Sequence, residues 1–193
     1  MSKCERATVT GITGRDYTDV TPTHRHHLDR KAAFGSLVHE VIAKHGEDCT
    51  PIPEIAERYG YQAAETLAKY RMLLTTDQIL CTATDIRHEV PIKVAGISGQ
   101  IDFLGDADGE DGYTHKVIAD IKTGDDDETA NWQLSLYGYM YEAQTETKPI
   151  LLRIQLVPGK AAAVVEVQYT PQETVRKLVK EWRKKNNDNN NRK

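Results

Sequence analysis

A short apolar strand that ends in charge constrains this chain more than any other stretch. Val117-Ile118-Ala119-Asp120-Ile121-Lys122-Thr123-Gly124 alternates apolar and other residues in a β-rich composition and stops at a glycine, so it reads as a buried strand. Side chains two apart on a strand share a face, which puts Asp120 and Lys122 on one side. A carboxylate and an ammonium at the end of a buried strand are costly unless they face a cleft or meet a cation. The plainer alternative is an ion pair at the rim of a sheet. An acidic loop follows, and Asn131-Trp132-Gln133-Leu134-Ser135-Leu136-Tyr137 then takes up helical spacing.

The rest of the chain arranges itself around that strand. With 193 residues it is read as one domain over residues 1–185, long enough to bury a core. Residues 1–22 read as an irregular arm. A helix is expected from Lys31 to His45, ended by Gly46, with Phe34, Leu37, Val38, Val41 and Ile42 as its apolar stripe. Gly35 and His39 are four apart and stack on a neighbouring face, where another backbone can approach the glycine while the imidazole looks across the same gap. Residues 47–76 read as a helical insert, one piece from about Pro53 to Arg58 and another from about Gln62 to Leu74. Tyr61, Ala64, Leu67, Ala68 and Met72 look like its packing surface, and no chemistry is assigned to it.

From Gln78 the hydrophobic period changes to two. Ile79 to Ile92 is expected to be a long strand with Pro91 marking an edge or a bend, Gly96 to Leu104 its hairpin partner, and Gly105 to Gly112 a polar hairpin loop. A helix from Glu128 to Gln144 should bury Trp132, Leu136, Tyr139 and Met140, and present Gln133 and Tyr137 together on a polar face. Strands Ile150–Val157 and Ala162–Tyr169 flank the turn Pro158-Gly159-Lys160, and a last helix runs from Pro171 to about Lys185. Residues 186–193 are asparagine-rich and of low complexity, the composition of a disordered tail. The order predicts an α/β fold with a central mixed sheet flanked by helices.

Composition excludes several classes of protein. No apolar run approaches the roughly 20 residues that span a bilayer, and the first residues lack the apolar core of a signal peptide, so no membrane association and a cytoplasmic location are expected. Cys4, Cys49 and Cys81 are odd in number and widely spaced, which suits reduced thiols and offers no CxxC pair for zinc or an iron-sulfur cluster. A net charge of -4 argues against a protein that coats nucleic acid. Yet acid concentrates at Asp102 to Asp111 and Asp120 to Glu128, while base collects at His24 to Lys31 and at Arg176 to Lys185. That distribution suits a protein holding cations at its middle and a polyanion at its rim. The His24 to His27 cluster is read as a solvated loop ahead of a phosphate contact.

Asp102 ends one central strand and Asp120 the next, so both carboxylates can reach the same edge of the sheet. Two close carboxylates repel unless one is protonated or a cation lies between them. With His39 and Lys122 they make a hard, oxygen-rich site with one nitrogen ligand, suited to Mg²⁺ or Mn²⁺.

The ordered series Gly35-x-x-x-His39, Glu89, Gly99-Gln100-Ile101-Asp102, Asp120-Ile121-Lys122-Thr123-Gly124 and Gln133-x-x-x-Tyr137 resembles the PD-(D/E)xK nuclease superfamily, in particular its RecB-like exonuclease branch of phage and prophage type. The resemblance spans about Phe34 to Tyr137. It implies a restriction-endonuclease-like αβββαβ core with metal ligands His39, Asp102, Asp120 and the backbone carbonyl of Ile121. It further implies Lys122 as the catalytic lysine, Gln133 and Tyr137 touching DNA or bracing the site, and Glu89 matching a family glutamate of open role. The activity expected on that basis is Mg²⁺- or Mn²⁺-dependent hydrolysis of DNA, as an exonuclease in recombination or repair. A non-catalytic DNA-binding module, or a subunit that cuts only with a helicase or recombinase, is the alternative. Without a GxxxxGK[ST] motif any motor would be a separate chain. Partners are thus DNA and, further off, a recombinase, single-strand-binding protein or helicase, and oligomerisation stays open. The last helix offers Arg176, Lys180, Arg183 and Lys184 near one stripe for phosphate contacts, or simply as a soluble surface.

Overall fold

Six strands form one mixed sheet in the computed structural model, which describes residues 7–8, 22–109, 111–124 and 128–190. In chain order the elements are β1 (Ala7–Thr8), α1 (Pro22–His45), α2 (Ile52–Tyr59), α3 (Tyr61–Thr76), β2 (Thr84–Val94), β3 (Ile97–Asp108), β4 (Thr114–Lys122), α4 (Glu128–Thr145), β5 (Ile150–Gln155), β6 (Ala163–Glu166) and α5 (Gln172–Asn190). Strands β2, β3 and β4 are successive antiparallel neighbours. Helix α4 then carries the chain over the sheet, so that β5 lies parallel to β4 before β6 turns back antiparallel. Strand β1 pairs in parallel with the start of β3. The sequence from α1 through β5 is the expected αβββαβ core.

The sheet buries a different layer on each face. Val117, Ala119 and Ile121 of β4 pack with α1, α2 and α3 through Val38, Val41, Ile42, Ile55, Leu67 and Tyr70. Ile118 turns the other way, toward Leu134, Leu136 and Met140 of α4 and Val175 of α5. Period two puts Asp120 and Lys122 on the α4 side with Ile118.

Several boundaries differ from the sequence reading, each for a local reason. Helix α1 begins at Pro22, a residue that suits a first helical turn, so the backbone of His24 to His27 is helical and not a loop. The strand expected from Ile79 begins only at Thr84. Asp77 accepts from the backbone N–H of Ile79 and of Leu80, both at 3.0 Å, and winds Leu80–Thr82 into a 3₁₀ turn. Pro91 does lie on an edge: among the described residues β2 pairs only with β3. Strand β3 continues past Leu104 to Asp108. Its aspartates are paired across the hairpin, Asp106 with Lys116 at 2.6 Å and Asp108 with the Thr114 hydroxyl at 3.1 Å.

On α3 the buried apolar residues are Ala63, Ala64, Leu67, Tyr70 and Leu73, whereas Tyr61 and Met72 of the expected packing surface are exposed. On α4 Leu136 and Met140 are buried as expected, joined by Leu134 and Tyr137. Trp132 and Tyr139 are only half-buried. Helix α5 runs past the expected end at Lys185 to Asn190, into the asparagine-rich segment. The arm at residues 9–21, Cys4 and the acidic residues 125–127 lie outside the described residues. Cys49 and Cys81 are exposed free thiols, and no described helix is long and apolar enough to cross a membrane.

Candidate active site

The site forms where β3 and β4 meet the middle of α1. Because Phe103 pairs with Ala119 in an antiparallel ladder, Asp102 and Asp120 fall opposite one another on adjacent strands, near enough to feel each other's charge. The Ile121 N–H donates to Asp102 Oδ2 at 2.8 Å, fixing that carboxylate against the end of β4. His39 enters from α1, with Nε2 3.1 Å from the Ile121 carbonyl oxygen and Nδ1 3.2 Å from Glu89 Oε1 and 3.4 Å from Asp102 Oδ1. One turn before it, a Cβ on Gly35 would stand 3.4 Å from Thr123 Oγ1. The approach expected at that glycine is thus made by a hydroxyl of the DIKTG segment, and an alanine would still fit.

Glu89 reaches the site through a distortion that alternation alone does not foretell. Its φ is +53°, the left-handed region that costs a non-glycine residue of order 1–3 kcal/mol and gathers at functional positions. The β2–β3 register is unbroken on either side, His88 with Phe103 and Val90 with Ile101. The faces nevertheless exchange at this point. Ile86 and Phe103 lie in the layer of α1 to α3, while Val90, Ile92 and Ile101 lie in the layer of α4. Both strands rotate where Glu89 stands opposite Asp102, and both carboxylates leave the sheet toward His39.

Lys122 stands beside this group. Its Nζ donates to Asp120 Oδ1 at 3.0 Å and to Gln133 Oε1 of α4 at 3.3 Å. The backbone behind it is tied to the end of β5, Leu156 N–H to Lys122 O at 2.8 Å. Asp120 Oδ2 is buried and lies 2.8 Å from the same Nζ, which is poorly aligned for a second hydrogen bond. Tyr137, one turn after Gln133, accepts at its hydroxyl from the Gln100 N–H at 3.3 Å. That contact joins α4 to β3 two residues before Asp102.

The electrostatics follow from burial and crowding. Burial, and then the charge of Asp102, push the Asp120 carboxyl well above the usual carboxylate range, and Lys122 and His39 offset this only in part. Burial alone would depress His39, but hydrogen bonds to Asp102 and Glu89 outweigh it and raise the imidazole to about 10. In the absence of an ion the ring is thus held as an imidazolium among the carboxylates, and it must give up a proton to serve as a ligand. Burial raises the Tyr137 phenol to about 12, which keeps it a neutral hydroxyl.

The structure links His39 to Glu89, Asp102 and the Ile121 carbonyl, Lys122 to Asp120 and Gln133, and Tyr137 to the Gln100 N–H. Their grouping differs from the expected ligand set. Glu89 joins His39 and Asp102 in a cluster whose ligand atoms lie within 4.8 Å of one another, while Asp120 turns toward Lys122. Three supports escaped the sequence reading. His88 Nδ1 contacts the Asp102 backbone oxygen at 3.1 Å, and His88 Nε2 meets the Tyr70 hydroxyl at 3.4 Å, so the helical insert does reach the site. Gln100 donates from Nε2 to the Glu89 carbonyl at 3.2 Å, bracing the distorted residue. Its place in the Gly99-Gln100-Ile101-Asp102 motif was the available signal. Arg153 pairs with Asp120 across β4 and β5, is buried, and donates to Asn131 Oδ1 of α4 at 3.0 Å.

A model of the PD-(D/E)XK nuclease superfamily matches residues 15–191. The chain belongs to that superfamily. No curated protein matches it. Among solved structures it is similar to the crystal structure of SSO0001, at 13% identity over 79% of this chain and 86% of the other, with a TM-score of 0.38. PD-(D/E)XK nucleases use divalent metal ions, and the residues present fit one. The donors are hard oxygens and one imidazole, and Asp120 Oδ2 is a buried oxygen with lone pairs still open.

Proposed function

We propose that this PD-(D/E)XK nuclease is a Mg²⁺- or Mn²⁺-dependent deoxyribonuclease of the RecB-like branch, acting as an exonuclease on DNA during recombination or repair. The observation that supports the proposal is the cluster of His39, Glu89 and Asp102, whose ligand atoms lie within 4.8 Å of one another, beside the Ile121 carbonyl and the Asp120–Lys122 pair. In this reading His39, Asp102, Asp120 and Ile121 O hold the ion, with Glu89 either fixing the His39 ring or serving as a further ligand. The bound ion would polarise a phosphoryl oxygen and acidify a water.

The remaining work falls to the chain itself. Lys122 is anchored by Asp120 and Gln133 but is about a third exposed, so its ammonium can orient the attacking water and balance charge growing on the phosphate. Water oxygen bonds to phosphorus, the bond from phosphorus to the leaving sugar oxygen breaks, and that oxygen takes up a proton. Asp102 is held by the Ile121 N–H and His39 by Glu89, so neither must reorganise as charge develops. Gln133 and Tyr137 hold α4 at a fixed distance from β3 and keep Lys122 aimed. A recombinase, single-strand-binding protein or helicase is a proposed companion that delivers DNA ends.

The test is a time course on end-labelled linear DNA and on closed circular DNA, with Mg²⁺, Mn²⁺ or chelator. The proposal expects linear DNA to shorten from its ends, circles to persist and chelator to stop the reaction. Nicking or cutting of circles would replace exonuclease by endonuclease. DNA bound but never cut under either metal would make the chain a binding module and overturn the proposal.

A further inference from the structure

Gln133 and Tyr137 of helix α4 meet Lys122 and the Gln100 N–H at the candidate active site. Leu136 and Met140 instead floor a groove of about 460 Å³ closed by α5 and by the turn between β2 and β3, within the roughly 300–1,000 Å³ usual for binding pockets. Ile97 and Val175 complete the buried floor, and Val179 is half-buried beside them. The rim is of another kind. Arg176, Lys180 and Arg183 recur at i, i+4 and i+7 along α5, all three are exposed, and among the described residues no carboxylate lines the groove. Arg183 Nη2 donates to the Ala95 carbonyl at 2.9 Å, pinning α5 to the hairpin turn so that the recess is held open before anything enters it.

We propose that this groove docks an acidic segment of another protein, one whose carboxylates flank two or three aliphatic side chains. An apolar floor needs side chains to cover it, and three cations on one rim need negative charge opposite them. A plain apolar peptide leaves the cations unmatched, and a purely acidic one leaves the floor wet. A nucleic-acid strand meets the charge but not the floor, because sites for single strands stack bases on free aromatic rings. The aromatic ring here, Tyr139, is already engaged: its hydroxyl donates to the Thr170 carbonyl at 2.8 Å and its ring lies 5.2 Å from that of Tyr169. The stripe of base on α5 that sequence alone offers to phosphates thus frames an apolar recess. This docking surface stands or falls apart from the chemistry of the catalytic pocket.

Fluorescence anisotropy tests it with a labelled peptide of about twelve residues, Leu and Ile flanked on both sides by Asp and Glu. The full chain should bind it. Affinity should drop at least about tenfold for Arg176→Glu with Lys180→Glu, for Val179→Asp, and for a peptide whose Leu and Ile are replaced by Ser. Circular dichroism should show the variants folded, and a peptide with Lys in place of its acids should not bind. Equal binding by parent and variants, or none by the parent, overturns the proposal. So does displacement of the peptide by a dT oligonucleotide, which would give the groove to nucleic acid. Self-association lost in the Arg176→Glu, Lys180→Glu variant would give it to a second copy of the chain and equally overturn it.

Discussion

Glu89 shows how much one residue can carry here. A left-handed glutamate inside a strand persists only if its surroundings hold it, and they do so through Gln100 on its carbonyl and His39 on its carboxylate. Asparagine tolerates that backbone conformation far better than most residues, so Glu89→Asn should keep the fold and melting temperature. It should weaken Mn²⁺ affinity on the order of 10–100-fold, the usual cost of losing a group that orients a ligand, as calorimetric titration would show. Unchanged affinity would reduce Glu89 to a structural role. Asp120 makes the opposite trade. Its carboxylate is buried, crowded by Asp102 and short of one hydrogen bond, so Asp120→Asn should melt no lower than the parent in metal-free buffer. A marked drop would show that the Lys122 pair supports the fold. Lys122→Ala should slow cleavage on the order of 10²–10³-fold while leaving metal affinity nearly intact, a separation that single-turnover rates and calorimetry can make. The nearness of His39, Asp102, Asp120 and Lys122 was legible from strand and helix spacing, although Asp102 lies inside β3 and not at its end, and Glu89 came only through the family resemblance. The rotation at Glu89 was not, since φ leaves no trace in a pattern of apolar and polar residues.

At the scale of elements the helical insert is the part that sequence undervalued. Asp48, just past α1, accepts from His45 at 2.8 Å, from Arg71 of α3 at 2.6 Å and from the Thr50 N–H and hydroxyl at 2.9 and 2.8 Å. Arg71 also donates to the His45 and Thr50 carbonyls, closing the end of α1 onto α3. Hydrogen bonds from His45 and Thr50 hold the Asp48 carboxyl down to about 2 against an ordinary 3.8. A carboxyl lowered in the folded state stabilises above its unfolded pKa and loses that contribution as pH falls toward the folded one. Asp48→Asn should therefore melt below the parent at pH 7, with the gap closing between about pH 4 and pH 2. Thermal melts across that range check it, and a constant gap would remove the charge from the explanation. Strands β4 and β5, helix α4 and the part of α1 from Lys31 to His45 were readable from apolar period, but the first turns of α1 from Pro22 were not. The start of β2 was not, because one Asp77 side chain captures two backbone N–H groups that a strand would otherwise pair.

For the whole molecule, order along the chain gave three antiparallel-capable strands, a helix, two strands and a last helix, and the family resemblance supplied the αβββαβ core that the sheet shows. What the chain order could not reveal is which helix faces meet. The α4 and α5 contact, and the recess it leaves, depend on residues far apart in sequence. On the reading proposed above, α1, β3 and β4 together build one metal-dependent nuclease centre. Cleavage of end-labelled linear DNA by Asp120→Asn, at saturating Mn²⁺ and with folding verified, addresses it most directly. The substitution keeps shape and removes one anionic donor, so the rate should fall on the order of 10³-fold or more. Cleavage at the parent's rate, or cleavage by the parent that persists in chelator, would contradict the account.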